Sequence, residues 1–257
     1  MNKYILIIII LTFFSCKKDE QLVSNNLKIQ FTHTVSGNSL VLACCSGENL
    51  NYTNSSNEKY NIETLKYIIT NISLHTEENI EIIKDIHLID AEENSTTSFE
   101  IESLEDLNYT KISFTFGLDS TMNQPNAYIN SSQNIHNQMI WPASINTPTV
   151  TAYHYMKLEG VVDSALNGYK THTGPTDGMD FSFTKAFPIS INDGSINNKI
   201  ISINMEIDNW FNNPENISFS SYGLDANGIQ GIMQNMIIQQ KIQVNGNQDV
   251  FSVSVNE

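Results

Sequence analysis

Arginine is absent: all 13 basic residues are lysines, set against 28 Asp and Glu, for a net charge of −15. A nucleic-acid binder needs a basic footprint on its surface, so that class is excluded. The motifs that mark common catalytic sites are missing too: no Gly-x-Ser-x-Gly, no His-Glu-x-x-His, no Walker loop and no Gly-x-Gly-x-x-Gly. The paired carboxylates Glu77-Glu78 and Glu92-Glu93 sit in polar stretches and read as solvated. Nothing here argues for an enzyme. Long apolar runs are lacking apart from Tyr4 to Phe14, which is shorter than the roughly 20 residues needed to span a bilayer. No tandem repeat and no linker divides the rest.

The N-terminus explains that run. Met1-Asn2-Lys3 is a short positive segment, the apolar stretch follows, and it ends Phe13-Phe14-Ser15-Cys16. This reads as a cleaved signal peptide over residues 1–15, with Cys16 lipidated as the mature N-terminus. Lys17-Lys18-Asp19-Glu20 then resembles the export tag of surface lipoproteins in the Bacteroidetes. The expectation is a tether over 16–26, a single domain over 27–257, and a membrane partnership through the acyl chains. The location expected is an outer-membrane lipoprotein, at the cell surface or on the periplasmic face. The other two cysteines, Cys44 and Cys45, are adjacent. They read as a strained vicinal disulfide, a soft thiolate pair for Cu(I), or two residues with no shared role.

Alternation dominates the remaining chain. Leu27, Ile29, Phe31 and His33 share one face, as do Ile112, Phe114 and Phe116. Extended runs are expected over Tyr60–Leu74, Ile80–Ile89, Tyr153–Glu159, Met179–Phe183, Phe187–Ile191, Ile200–Ile207 and Val250–Val255. Asn/Gly/Ser/Asp clusters such as Asn192-Asp193-Gly194-Ser195 separate them with turn chemistry. The pattern predicts an all-β fold, an antiparallel β-sandwich, with one short C-terminal amphipathic helix. That helix is expected over Gly228–Ile242, with Ile229, Ile232, Met233, Met236 and Ile237 as its apolar stripe. The methionines read as core, and Trp210 as a packing residue.

Six histidines remain as candidates for chemistry. His75 and His87 sit among charges and read as surface or edge residues. His33 and His154 lie on apolar strand faces, His172 falls in a tight turn region before Gly174-Pro175, and His136 precedes Met139-Ile140-Trp141. Imidazole is the ligand Cu(II) favours, and distant histidines can converge across a sandwich. No two of them show a metal-motif spacing.

Several stretches, in order, resemble the MbnP-like copper-binding family. They are Phe31-Thr32-His33, Gly37-Asn38-Ser39-Leu40, Leu65 to Leu74, His87-Leu88-Ile89-Asp90 and Phe114 to Asp119. Met139-Ile140-Trp141, Met156-Lys157-Leu158-Glu159-Gly160, His172-Thr173-Gly174, Asp208 to Pro214 and Asp249-Val250-Phe251 follow. Together they cover Leu27 to Val255. The resemblance implies a copper-binding β-sandwich outside the cytoplasm, serving acquisition, storage or delivery of copper. It implies a site of two histidines, here His33 and His172, with Trp141 converted to kynurenine by a di-haem partner resembling a cytochrome c peroxidase. Indole offers only an N–H donor, whereas the opened ring presents an amine and a carbonyl to a metal. His154 and His136 rank behind His33 and His172 as ligands. The sequence departs from the family after Trp141, where Pro142-Ala143-Ser144 and an insertion through Thr151 replace a second Trp. The alternative is a metal-free surface lipoprotein of the same fold, an adhesin or a glycan- or protein-binding module.

Overall fold

A computed structural model describes residues 26–44, 49–102, 104–141, 152–162, 167–224, 229–233 and 235–256. Cys16, Cys45 and the insertion after Trp141 lie outside the described residues. Among those described, no helix is long and apolar enough to cross a membrane.

Among the described residues, ten strands of four or more residues carry the fold: β1 Leu27–Val35, β2 Thr64–His75, β3 Ile80–Asp90, β4 Ser98–Ile101, β5 Tyr109–Phe116, β6 Met156–Val162, β7 Asn167–Thr173, β8 Phe183–Ile191, β9 Lys199–Glu206 and β10 Phe251–Asn256. The smaller sheet runs β10-β9-β1, with β4 and the short strand Asn38–Ser39 on the free side of β1. The larger runs β8-β5-β2-β6-β7 and ends on the short strands Gln230–Gly231 and Gly223–Leu224, with β3 also paired to β2. Their inner faces meet through aromatic contacts. Phe31 of β1 packs edge-on to Tyr67 of β2, and Phe251 of β10 packs edge-on to Phe114 of β5. Alternation along β1 buries Leu27, Ile29, Phe31 and Val35, as period-2 patterning requires when one sheet face meets a core.

The all-β class and the C-terminal helix are as expected, with corrections of detail. The sheets are mixed. β1 pairs with β9 in parallel, Leu27 opposite Lys199, and β7 pairs in parallel with Gln230–Gly231. A parallel pair needs a long crossover, and between β1 and β9 the chain builds β4 and every strand of the larger sheet except its short end strands Gln230–Gly231 and Gly223–Leu224. The helix is displaced from the predicted range. It spans Met236–Gly246, and the Asn235 side chain caps it by accepting from the Ile238 amide. Its buried residues are Ile238, Gln239, Ile242, Asn245 and Gly246, whereas Met236 and Ile237 are exposed. Gln230–Gly231 lies in a strand instead, because the edge of β7 offers it backbone partners. Met179 to Ser182 is not a strand: Thr176 and Met179 close a turn on each other, and β8 begins at Phe183.

Candidate metal centre

His172 lies within strand β7, not in a turn, because β7 runs to Thr173 in a hairpin with β6. It stands opposite Lys157, which stands opposite Lys66 of β2. These three residues share one face of the larger sheet. Glu159 lies on that same face, two residues along β6, and reaches His172 diagonally. Its Oε1 is 2.6 Å from His172 Nε2. The other nitrogen, Nδ1, is buried and has no partner. The hydrogen bond from His172, more than any other influence, holds the Glu159 carboxyl below its usual range. Burial, then the charge of Glu159, pushes Glu63 up.

His154 arrives from a second hairpin. Ile140–Trp141 pairs antiparallel with Ala152–Tyr153, Trp141 opposite Ala152, and His154 follows directly. A five-residue helix, α1 Ile135–Met139, ends at the carbonyl that fixes this histidine. The Met139 oxygen accepts from both the His154 amide, at 2.6 Å, and its ring Nδ1, at 3.1 Å. Nε2 is buried without a partner. Burial foremost, and His172 next, push the His154 imidazole well below its ordinary pKa, so it stays neutral.

The two rings are perpendicular with centroids 4.8 Å apart. Trp141 packs edge-on to His154 at 4.7 Å, 5 % exposed. Its six-membered ring lies over Gly174, where an added Cβ would come within 2.6 Å of Cε3. Gln239 of the C-terminal helix is fully buried and locks the strand end. Its Nε2 donates to the His172 carbonyl at 2.7 Å, and its Oε1 accepts from the Gly174 amide at 3.4 Å.

His172, His154 and Trp141 are thus brought together, and His33 is not. His33 on β1 bonds through Nε2 to the Tyr67 hydroxyl at 3.0 Å, and burial lowers its pKa to about 4. Tyr67 follows Lys66 on β2, so it points to the opposite face of the sheet from the Lys66–Lys157–His172 row. His136, half-buried on α1, bonds through Nδ1 to the Tyr153 hydroxyl at 2.9 Å. His75 and His87 are buried, not on the surface. His75 bonds to the Ser113 hydroxyl at 2.7 Å. His87 stacks on Phe31 and bonds to the Thr96 carbonyl at 2.8 Å and the Gln133 amide at 3.0 Å. Apolar burial with full hydrogen bonding outweighs the charged sequence around it. Cys44 is exposed. Glu77-Glu78 and Glu92-Glu93 are exposed, and Trp210 is fully buried against Phe116 at 5.0 Å. Among the described residues, no group of three or more His, Cys, Asp or Glu converges on a metal position.

Sequence reasoning missed Glu159, the Met139 carbonyl, Gly174 and Gln239. Glu159 could have been found only by recognising residues 167–173 as the partner of β6.

Fold and site define a β-rich protein carrying a buried pair of imidazoles, each with one nitrogen anchored and one bare, beside a tryptophan. The chain belongs to the MbnP family, whose model matches residues 24–233. Among solved structures, MbnP from Methylosinus trichosporium is similar at 12 % identity, over 91 % of this chain and 99 % of that one, with a TM-score of 0.48. No curated protein sequence matches.

Proposed function

We propose that this protein is a lipid-anchored copper-binding protein that holds the metal at His154 and His172, beside Trp141. The observation that carries the reading is the pair of bare nitrogens. The Met139 carbonyl can only accept, so Nδ1 of His154 carries the proton and Nε2 presents a lone pair. His172 Nδ1 is likewise buried without a partner. An unpaired buried acceptor costs about 1–3 kcal/mol, and a cation shared by two rings whose centroids lie 4.8 Å apart would offset that cost at both. Neutral imidazole suits copper, which heads the affinity order among divalent metals on nitrogen ligands. Family membership supports copper over its competitors.

The role is acquisition, storage or delivery, with no catalysis of its own, at the outer membrane through lipid on Cys16. Trp141 is the residue a di-haem partner would oxidise in this setting. Peptide mass analysis of protein from the native host tests that step: an unmodified Trp141 would remove it.

The copper test uses the soluble form beginning after Cys16, loaded with Cu(II) and dialysed. Stoichiometric copper is expected in the parent and in His33→Ala, and little in the His154→Ala, His172→Ala double variant. Equal copper in parent and double variant would sink the assignment.

A further inference from the structure

We infer that Glu159 is the positioning residue of this centre: its carboxylate fixes His172 in the tautomer that leaves Nδ1 as the metal-facing lone pair. The inference rests on the copper reading above. A neutral imidazole carries one N–H and one lone pair, and the partner of one nitrogen decides the state of the other. Glu159 Oε1 lies 2.6 Å from Nε2. A carboxylate accepts, so Nε2 holds the proton and Nδ1 is bare. Nδ1 is the nitrogen that is buried with no partner.

The contact is built into the hairpin register. Lys157 stands opposite His172 and Glu159 opposite Lys170, which places the carboxylate diagonally beside the imidazole on one face of the sheet. The opposite tautomer would set a lone pair against a carboxylate and leave the buried Nδ1 carrying an N–H with no acceptor. A metal could then bind only after that proton left. A carboxylate behind a ligating histidine fixes ring and tautomer and raises ligand basicity, and its removal typically costs 10–100-fold in metal affinity. His154 has a neutral carbonyl in the same role, so the two ligands differ in the charge behind them, and Glu159 supplies that difference.

The test has two readouts on the soluble protein. Nitrogen-15 spectra of histidine in the metal-free state report the His172 tautomer, and competition with a chromogenic copper chelator reports affinity. The parent is expected in the Nε2–H form. Glu159→Leu should give mixed tautomers and copper affinity weaker by about 10–100-fold. Glu159→Gln keeps an acceptor without the charge, and it should restore the tautomer and part of the affinity. Parent-like affinity in Glu159→Leu, or an Nδ1–H parent that still binds copper, would overturn the inference while leaving the copper reading standing. A parent that binds no copper would overturn both.

Discussion

Gly174→Ala tests the packing that holds Trp141 against His154. The added Cβ would meet Trp141 Cε3 at 2.6 Å and Cζ3 at 2.7 Å, against a favourable carbon–carbon separation of about 3.5–4.0 Å. The indole must slide by about 1 Å or leave its site. Sliding resembles overpacking, which costs about 1–3 kcal/mol. Expulsion would approach the roughly 3–5 kcal/mol of deleting a buried tryptophan. Against this, Ala in place of Gly at a compatible backbone position restrains the unfolded chain by about 0.4–1 kcal/mol. The net expectation is a loss of about 1–2 kcal/mol, or a fall in Tm of roughly 2–8 °C. Gly223→Ala is the control, since among the described residues its Cβ would meet only the Gly231 carbonyl, at 4.0 Å. Urea unfolding and tryptophan emission are the assays. Trp210 is fully buried elsewhere, so a red shift reports Trp141. A Gly174→Ala protein as stable as its parent, with unchanged emission, would refute the packing argument.

Three further outcomes are expected. Gln239→Leu strands the His172 carbonyl and the Gly174 amide that Gln239 satisfies; stability should fall by about 1–3 kcal/mol, and urea midpoints equal to the parent's would contradict this. Tyr67→Phe removes the partner of His33 Nε2 and should cost about 1 kcal/mol with copper content unchanged; lost copper would place His33 in the site after all. Acidification should destabilise the fold between pH 6.5 and about 4, because burial lowers His33 and His87 from 6.5 to about 4. In that window the unfolded chain binds more protons than the folded one, so stability is lost as pH falls. His87, 3 % exposed, contributes up to about 3 kcal/mol, and half-buried His33 less. Unfolding free energies flat across the window would refute it, and His87→Gln should shallow the slope.

Alternation made most of the strands readable, because one buried face imposes a period of two. Leu27 to Val35 and Tyr109 to Phe116 follow from their own residues. The parallel pairing of β1 with β9 was not readable, since it joins segments some 170 residues apart and no local pattern encodes it. The C-terminal helix was readable in kind and misplaced in register. Ile229 and Ile232 match a helical stripe, yet the backbone at Gln230–Gly231 pairs with β7, and Asn235 sets the helix start. At the site, His172, His154 and Trp141 were all in view as residue types. Their convergence was not, because it depends on two hairpins meeting: β6–β7, and Ile140–Trp141 with Ala152–Tyr153. His33 resembles a ligand in sequence and occupies an apolar strand face, where Tyr67 satisfies it.

X-ray absorption on the copper-loaded soluble protein counts the imidazoles around the metal through multiple scattering. Two imidazole ligands are expected in the parent, the same two in His33→Ala, and one in His172→Ala. Sulfur scattering in the parent, or an undiminished imidazole count in His172→Ala, would contradict a site built on His154 and His172.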